Sequence, residues 1–119
     1  MLIGPYKLYV SESSVSGFGV FAKSDIEADE IIEECHFIEL SEKDFNKIDD
    51  VLKEYVFCFP MGNKNNCVVF GFGSIYNHSL FNNAHWECDS EKSLFRFKSN
   101  KFIKTGEEIF INYQKWVDF

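Results

Sequence analysis

Apolar and polar residues alternate along several short stretches of this chain and adopt helical spacing in only one. Tyr6-Lys7-Leu8-Tyr9-Val10 alternates and predicts a strand. After the polar run Ser11 to Ser16, Gly17-Phe18-Gly19-Val20-Phe21-Ala22 predicts a turn feeding a second short strand. Glu30 to Leu40 has mixed alternation, the pattern of a strand that changes face at a bulge. Ser41-Glu42-Lys43-Asp44 has the form of a capping box, and Phe45, Ile48, Val51, Leu52, Tyr55 and Val56 follow at helical spacing. The one helix is therefore expected from Ser41 to about Phe57, ended by Pro60 and the run Met61 to Asn66. Cys67 to Phe70 predicts a short buried strand, and Ala84 to Cys88 with Leu94 to Lys98 a hairpin. Lys104-Thr105-Gly106-Glu107 reads as a turn and Ile109 to Tyr113 as a final strand. Many short strands around one helix give a mostly-β α+β domain.

Composition narrows the picture. The 119 residues carry no repeat, linker or low-complexity block and are expected to form one domain over residues 1–119. Hydrophobic residues make up 45% and aromatic residues 18%, with fourteen Phe, so the core should be rich in rings. The net charge of −7 repels phosphate backbones and argues against direct nucleic-acid binding. The same charge favours encounter with basic peptides. No stretch approaches the roughly 20 apolar residues that span a bilayer, and the start lacks the form of a secretory signal. The expectation is an intracellular protein without membrane attachment. Cys35, Cys58, Cys67 and Cys88 are widely spaced with no CxxC pair, which points to buried or half-buried thiols rather than disulfides or a zinc framework.

Candidate chemistry sits in three places. Gly17-Phe18-Gly19 lets backbone approach a ligand closely, although taken alone it is a tight turn between strands. It lacks the third glycine and the βαβ context of a dinucleotide site. Asn77-His78-Ser79, followed by Asn82-Asn83, offers paired donors and acceptors suited to an adenine edge or an amino-acid group; alone it is a polar loop capping a strand. A metal reading of His36, His78 and His85 fails on spacing. Glu107-Glu108-Ile109-Phe110-Ile111-Asn112-Tyr113 is an apolar strand ending in a phenol, and its adjacent carboxylates should face opposite sides.

The three stretches G-F-G-V-F-A, N-H-S and G-E-E-I-F-I-N-Y occur in this order from Gly17 to Tyr113. Together they resemble the SET domain family of S-adenosylmethionine-dependent protein lysine methyltransferases. The short chain without cysteine-rich flanks looks like the minimal stand-alone SET proteins of large DNA viruses and some microbes. The resemblance implies small curved sheets, one main helix and a C-terminal pseudo-knot formed by the N-H-S segment and the tyrosine strand. It implies cofactor contacts from Phe18, Gly19, Asn77 and His78, and a catalytic Tyr113 beside the transferring methyl. Tyr55, Tyr76 and Tyr113 would line the lysine channel, with a plain core role open for Tyr55. No metal is implied. The chain departs from the family at Ser74, where an Arg is usual, at Leu80-Phe81-Asn82-Asn83 in place of Cys-x-Pro-Asn, and at Asn112 in place of Asp. No zinc-binding cysteines follow Tyr113, so Trp116 or Phe119 is a candidate cover for the site, the alternative being a tail that closes the core or a dimer interface.

The implied function is transfer of a methyl group to a lysine of a basic protein, with a histone tail favoured. A nuclear location would follow, in the host nucleus if the protein is viral, and a homodimer is a further expectation. Two alternatives stay open: a silent SET-like module that only binds peptide, and a methyltransferase for a non-histone basic protein.

Overall fold

A computed structural model describes residues 2–53, 55–58, 66–89 and 91–112. The chain runs through β1 (Leu8–Glu12), β2 (Phe18–Ala22), β3 (Ile31–Cys35) and β4 (Phe37–Leu40). Two single helical turns follow, α1 (Glu42–Phe45) and α2 (Asp50–Lys53), then β5 (Phe57–Cys58), β6 (Asn66–Val69) and β7 (Asn77–His78). The order closes with β8 (Ala84–Asp89), β9 (Leu94–Ser99) and β10 (Glu108–Ile111). These strands make three small sheets in the orders β1-β2-β10-β7, β3-β9-β8 and β4-β6-β5.

The expected strands are found with shifted ends. The first starts at Leu8 because Leu8 N–H donates to Pro5 O (3.1 Å) and turns the preceding residues. It then continues through Ser11 and Glu12, since their partners Gly19 and Phe18 offer backbone pairing that polar side chains do not oppose. The hairpin matches its prediction closely, with Ala84 opposite Ser99 and Asp89 opposite Leu94. Along β8 buried and half-buried residues alternate without a break: Ala84, Trp86 and Cys88 face in while His85, Glu87 and Asp89 face out. The bulge expected in residues 30–40 lies between Ile31 and Glu33, and at His36 the chain leaves one sheet for the next.

The helix differs from its expectation. Instead of running from Ser41 to about Phe57, helical structure among the described residues is confined to α1 and α2. The cap itself forms, with Ser41 Oγ accepting from Asp44 N–H at 3.1 Å. The helix stops because neither turn buries a residue: Val51 and Leu52 are exposed. Without an apolar face against the core, so short a helix is not sustained, and Asn46, Asp49 and Asp50 favour caps and turns over helix interiors.

All three sheets contribute to one hydrophobic core. Its centre is a cluster of rings, as the aromatic content predicts. Phe57 stands 5.4 Å from Trp86 and 5.3 Å from Phe95, while Trp86 stacks on Phe95 at 5.2 Å. Cys35, Cys67 and Cys88 are buried, and burial pushes the Cys88 thiol up to about 11. Phe57→Ala should cost about 3–5 kcal/mol of stability by emptying the meeting point of these rings. Urea denaturation measures it, and a loss below about 1 kcal/mol would mean that the cluster does not hold the sheets together.

Candidate active site

The four-stranded sheet brings distant stretches side by side. β10 lies antiparallel to β2, with Glu108 opposite Phe21 and Ile109 opposite Val20. On its other side it runs parallel to β7, with Phe110 opposite Asn77 and Ile111 opposite His78. Ser79 N–H extends this pairing by donating to Ile111 O at 3.0 Å. Asn83 reinforces it from the side: its amide donates to Glu108 O (2.9 Å) and accepts from Phe110 N–H (2.8 Å). The glycine turn, the N-H-S segment and the last strand of the sequence analysis therefore converge.

Between the glycine turn and the segment entering β7 opens a cleft of about 710 Å³, within the range of small-molecule sites. One wall is the turn from Val15 to Phe18, and the opposite wall runs from Ser74 to His78. Gly17 adopts a φ of 46°, a conformation that glycine reaches without strain. Gly19 has a different requirement, because a Cβ there would collide with the carboxylate of Glu108. That carboxylate accepts from Ser13 Oγ (2.7 Å) through one oxygen and from Asn77 Nδ2 (2.8 Å) through the other. Glu107 points elsewhere, accepting from Lys104 N–H, so the two adjacent carboxylates do face different surroundings.

Most of the expected site residues fall on this cleft. Phe18 lines it with 61% of its surface exposed, beside Asn77 and His78, and Tyr55 reaches its edge at 49% exposure. Tyr76 also borders it but is only 1% exposed. Its ring packs 4.6 Å from Phe97, and its hydroxyl donates to Glu33 Oε1 at 2.8 Å, so it is part of the wall. Gly19 sits behind the turn against Glu108. Tyr113, Trp116 and Phe119 lie outside the described residues. Ser74, where the family's Arg is replaced, donates through Oγ to Val69 O at 2.9 Å. The three histidines are dispersed: His36 joins two sheets, His78 is at the cleft and His85 pairs with Asn100 and Glu87. Among the described residues no group of three His, Cys, Asp or Glu side chains could hold a metal ion.

Sequence reasoning missed Glu33, Ser13 and the separate role of Glu108. Glu33 was visible only as an acid inside the apolar run of β3. It is buried, and that burial raises its pKa, while donors from Phe72 N–H (2.9 Å), Tyr76 and Cys35 pull the other way. These bonds tie β3 to the loop that delivers Asn77.

A sequence profile of the SET domain matches residues 17–114. The histone-lysine N-methyltransferase of Schizosaccharomyces pombe described as H3 lysine-37 specific is 29% identical over 108 residues, covering 89% of this chain and 72% of the relative. The solved structure of a Plasmodium falciparum protein described as a candidate histone methyltransferase superposes with a TM-score of 0.76. That pair is 29% identical and covers 90% of this chain and 92% of the other.

Glu33 makes the fold sensitive to pH in a defined direction. Its folded pKa lies above the unfolded value, so at pH between the two the native state keeps a proton that the unfolded chain releases, and stability falls as pH rises through that window toward the folded pKa. Tyr76→Phe removes a donor to the carboxylate and raises that pKa further. The variant should lose about 1–3 kcal/mol, and lose more at about pH 8 than at about pH 5. Denaturant titrations at the two pH values test this, and an equal loss at both would show that the carboxylate does not depend on Tyr76.

Proposed function

Because the chain belongs to the SET domain family and is a protein lysine methyltransferase, we propose that it methylates a lysine of a histone, using S-adenosylmethionine held by Phe18, Gly19, Asn77 and His78. The observation that carries this reading is that β10, by pairing with β2 on one side and β7 on the other, sets the glycine turn and Asn77–His78 on one cleft. The cleft suits the cofactor: its volume accommodates a nucleoside with an amino-acid arm, an exposed aromatic ring offers a face for stacking, and an amide and an imidazole supply polar contacts. The Schizosaccharomyces pombe relative, a histone H3 enzyme, supports H3 as the substrate class, and the net charge of −7 supports a basic peptide. A histone substrate puts the protein in the nucleus, that of a host cell if its source is a virus.

The bound cofactor supplies an electrophilic methyl group on a sulfonium. The chain's own residues must then present a neutral amine in line with it. Free lysine has a pKa of about 10.4, so only about one amine in a few thousand is neutral at pH 7. An aromatic channel formed by Tyr55, Tyr76 and Tyr113 would desolvate the ammonium and lower that pKa. Tyr55 at the rim and the packed ring of Tyr76 in the wall support such a channel. In this reading the Tyr113 hydroxyl orients the amine, and holding it about 3–3.5 Å from the methyl contributes several kcal/mol by proximity. Trp116 would cover the cofactor.

Incubation with labelled S-adenosylmethionine and core histones, followed by mass spectrometry, tests the function. Label on a histone lysine is expected, and unlabelled histones beside an active control enzyme would overturn the assignment. Tyr113→Phe should lower kcat by at least about a hundredfold while cofactor affinity stays within about twofold. An unchanged kcat would remove Tyr113 from the reaction. The rate on a basic peptide should also fall as salt rises from about 0.05 to 0.5 M, because screening weakens the attraction between acidic protein and basic substrate. A flat dependence would argue for a substrate chosen on other grounds.

A further inference from the structure

The side-chain nitrogen of Asn77 stands among three acceptors. Glu108 Oε2 is 2.8 Å away, and the carbonyl oxygens of Ser16 and Phe18 are each 3.2 Å away. Only a donor can occupy that position, so the amide has one orientation, with nitrogen toward the turn and β10. Among the described residues no donor engages the amide oxygen, which is the polar atom that Asn77 has left for a ligand. Both carbonyls belong to the turn itself. Among the described residues Glu108, on β10, is the partner that meets the amide with a side chain, and its second oxygen holds the same turn through Ser13 Oγ at 2.7 Å. The absence of a side chain at Gly19 makes room for the carboxylate between them.

We propose that Glu108 is a positioning residue: by receiving the Asn77 amide and the Ser13 hydroxyl together, it fixes the Asn77 oxygen as an acceptor aimed at a protonated amine of the ligand. The inference rests on the reading of this cleft as the cofactor site, where that amine is the α-ammonium of the amino-acid arm. An acceptor beside a cation makes a charge-assisted hydrogen bond, stronger than a neutral one, whereas the same acceptor beside a carboxylate would repel it. The negative charge of Glu108 is secondary in this account. What matters is an acceptor atom at the right reach.

Two variants separate reach from charge. Glu108→Gln keeps the length and presents its carbonyl oxygen to Asn77, while its NH₂ donates to the Ser13 hydroxyl, which can turn to accept. Glu108→Asp keeps the charge but is one methylene too short. Binding is measured by calorimetry with two probes, S-adenosylhomocysteine and its analogue lacking the α-amino group, with thermal melting to check the fold. Glu108→Asp should bind S-adenosylhomocysteine at least about tenfold more weakly than the parent, and Glu108→Gln within about threefold. The desamino analogue should bind the parent and both variants alike, because it has no amine for the Asn77 oxygen to meet.

Parent-like binding by Glu108→Asp overturns the proposal. So does an equal loss for both probes, which would mean that Glu108 only holds the turn in shape. A loss in Glu108→Gln as large as in Glu108→Asp would overturn the claim that the charge is secondary, because an acceptor at the right reach would then not suffice. If the parent protein binds neither probe, the failure is that of the methyltransferase reading itself.

Discussion

β7 contributes only two residues beside the end of β10, and so short a parallel pair has few backbone bonds of its own. Everything at the cleft depends on that pairing, because β10 is the strand between the glycine turn on β2 and the Asn77–His78 segment. The pair is completed by side chains. Asn83 uses both ends of its amide on the backbone of β10, and Asn77 reaches past Glu108 to the turn. Two asparagines and a glutamate thus do locally what a longer strand would do with main-chain groups.

A second anchor lies beneath the cleft. Glu33 is buried on β3, which is costly for a carboxylate, and hydrogen bonds from Phe72, Tyr76 and Cys35 offset the cost. The gain is registration. Phe72 and Tyr76 lie in the loop entering β7, so β3 fixes that loop from one side while β10 fixes its end from the other. Gly71, at a φ of 68°, lets the loop pass close over the carboxylate.

The parts of this architecture that follow a period were legible in the sequence. The pattern over Ala84–Cys88 and Leu94–Lys98 gave the hairpin to within one residue at the end of each strand, and the mixed alternation from Glu30 to Leu40 gave the bulge. Helical spacing from Phe45 to Val56 misled, because a period shows which residues share a face and not whether a core exists for that face to meet. Convergence of the three motifs was inferred from family resemblance, since no local pattern encodes pairing between Asn77 and Phe110. The roles of Glu108 and Asn83 were illegible for a related reason. An acid next to another acid, or an Asn next to another Asn, acquires its meaning only from what the fold sets opposite it.

The placement of β10 in the middle of its sheet has a bearing on how the protein is made. A ribosome releases β1, β2 and β7 well before the strand that must sit between β2 and β7 has been synthesised. Until then Val20 lacks its partner Ile109, and local pairing cannot fill the gap. The four-stranded sheet therefore stays incomplete until β10 has been made. A chain that stops before Glu108 lacks the strand that joins β2 to β7 and carries an open seam between them.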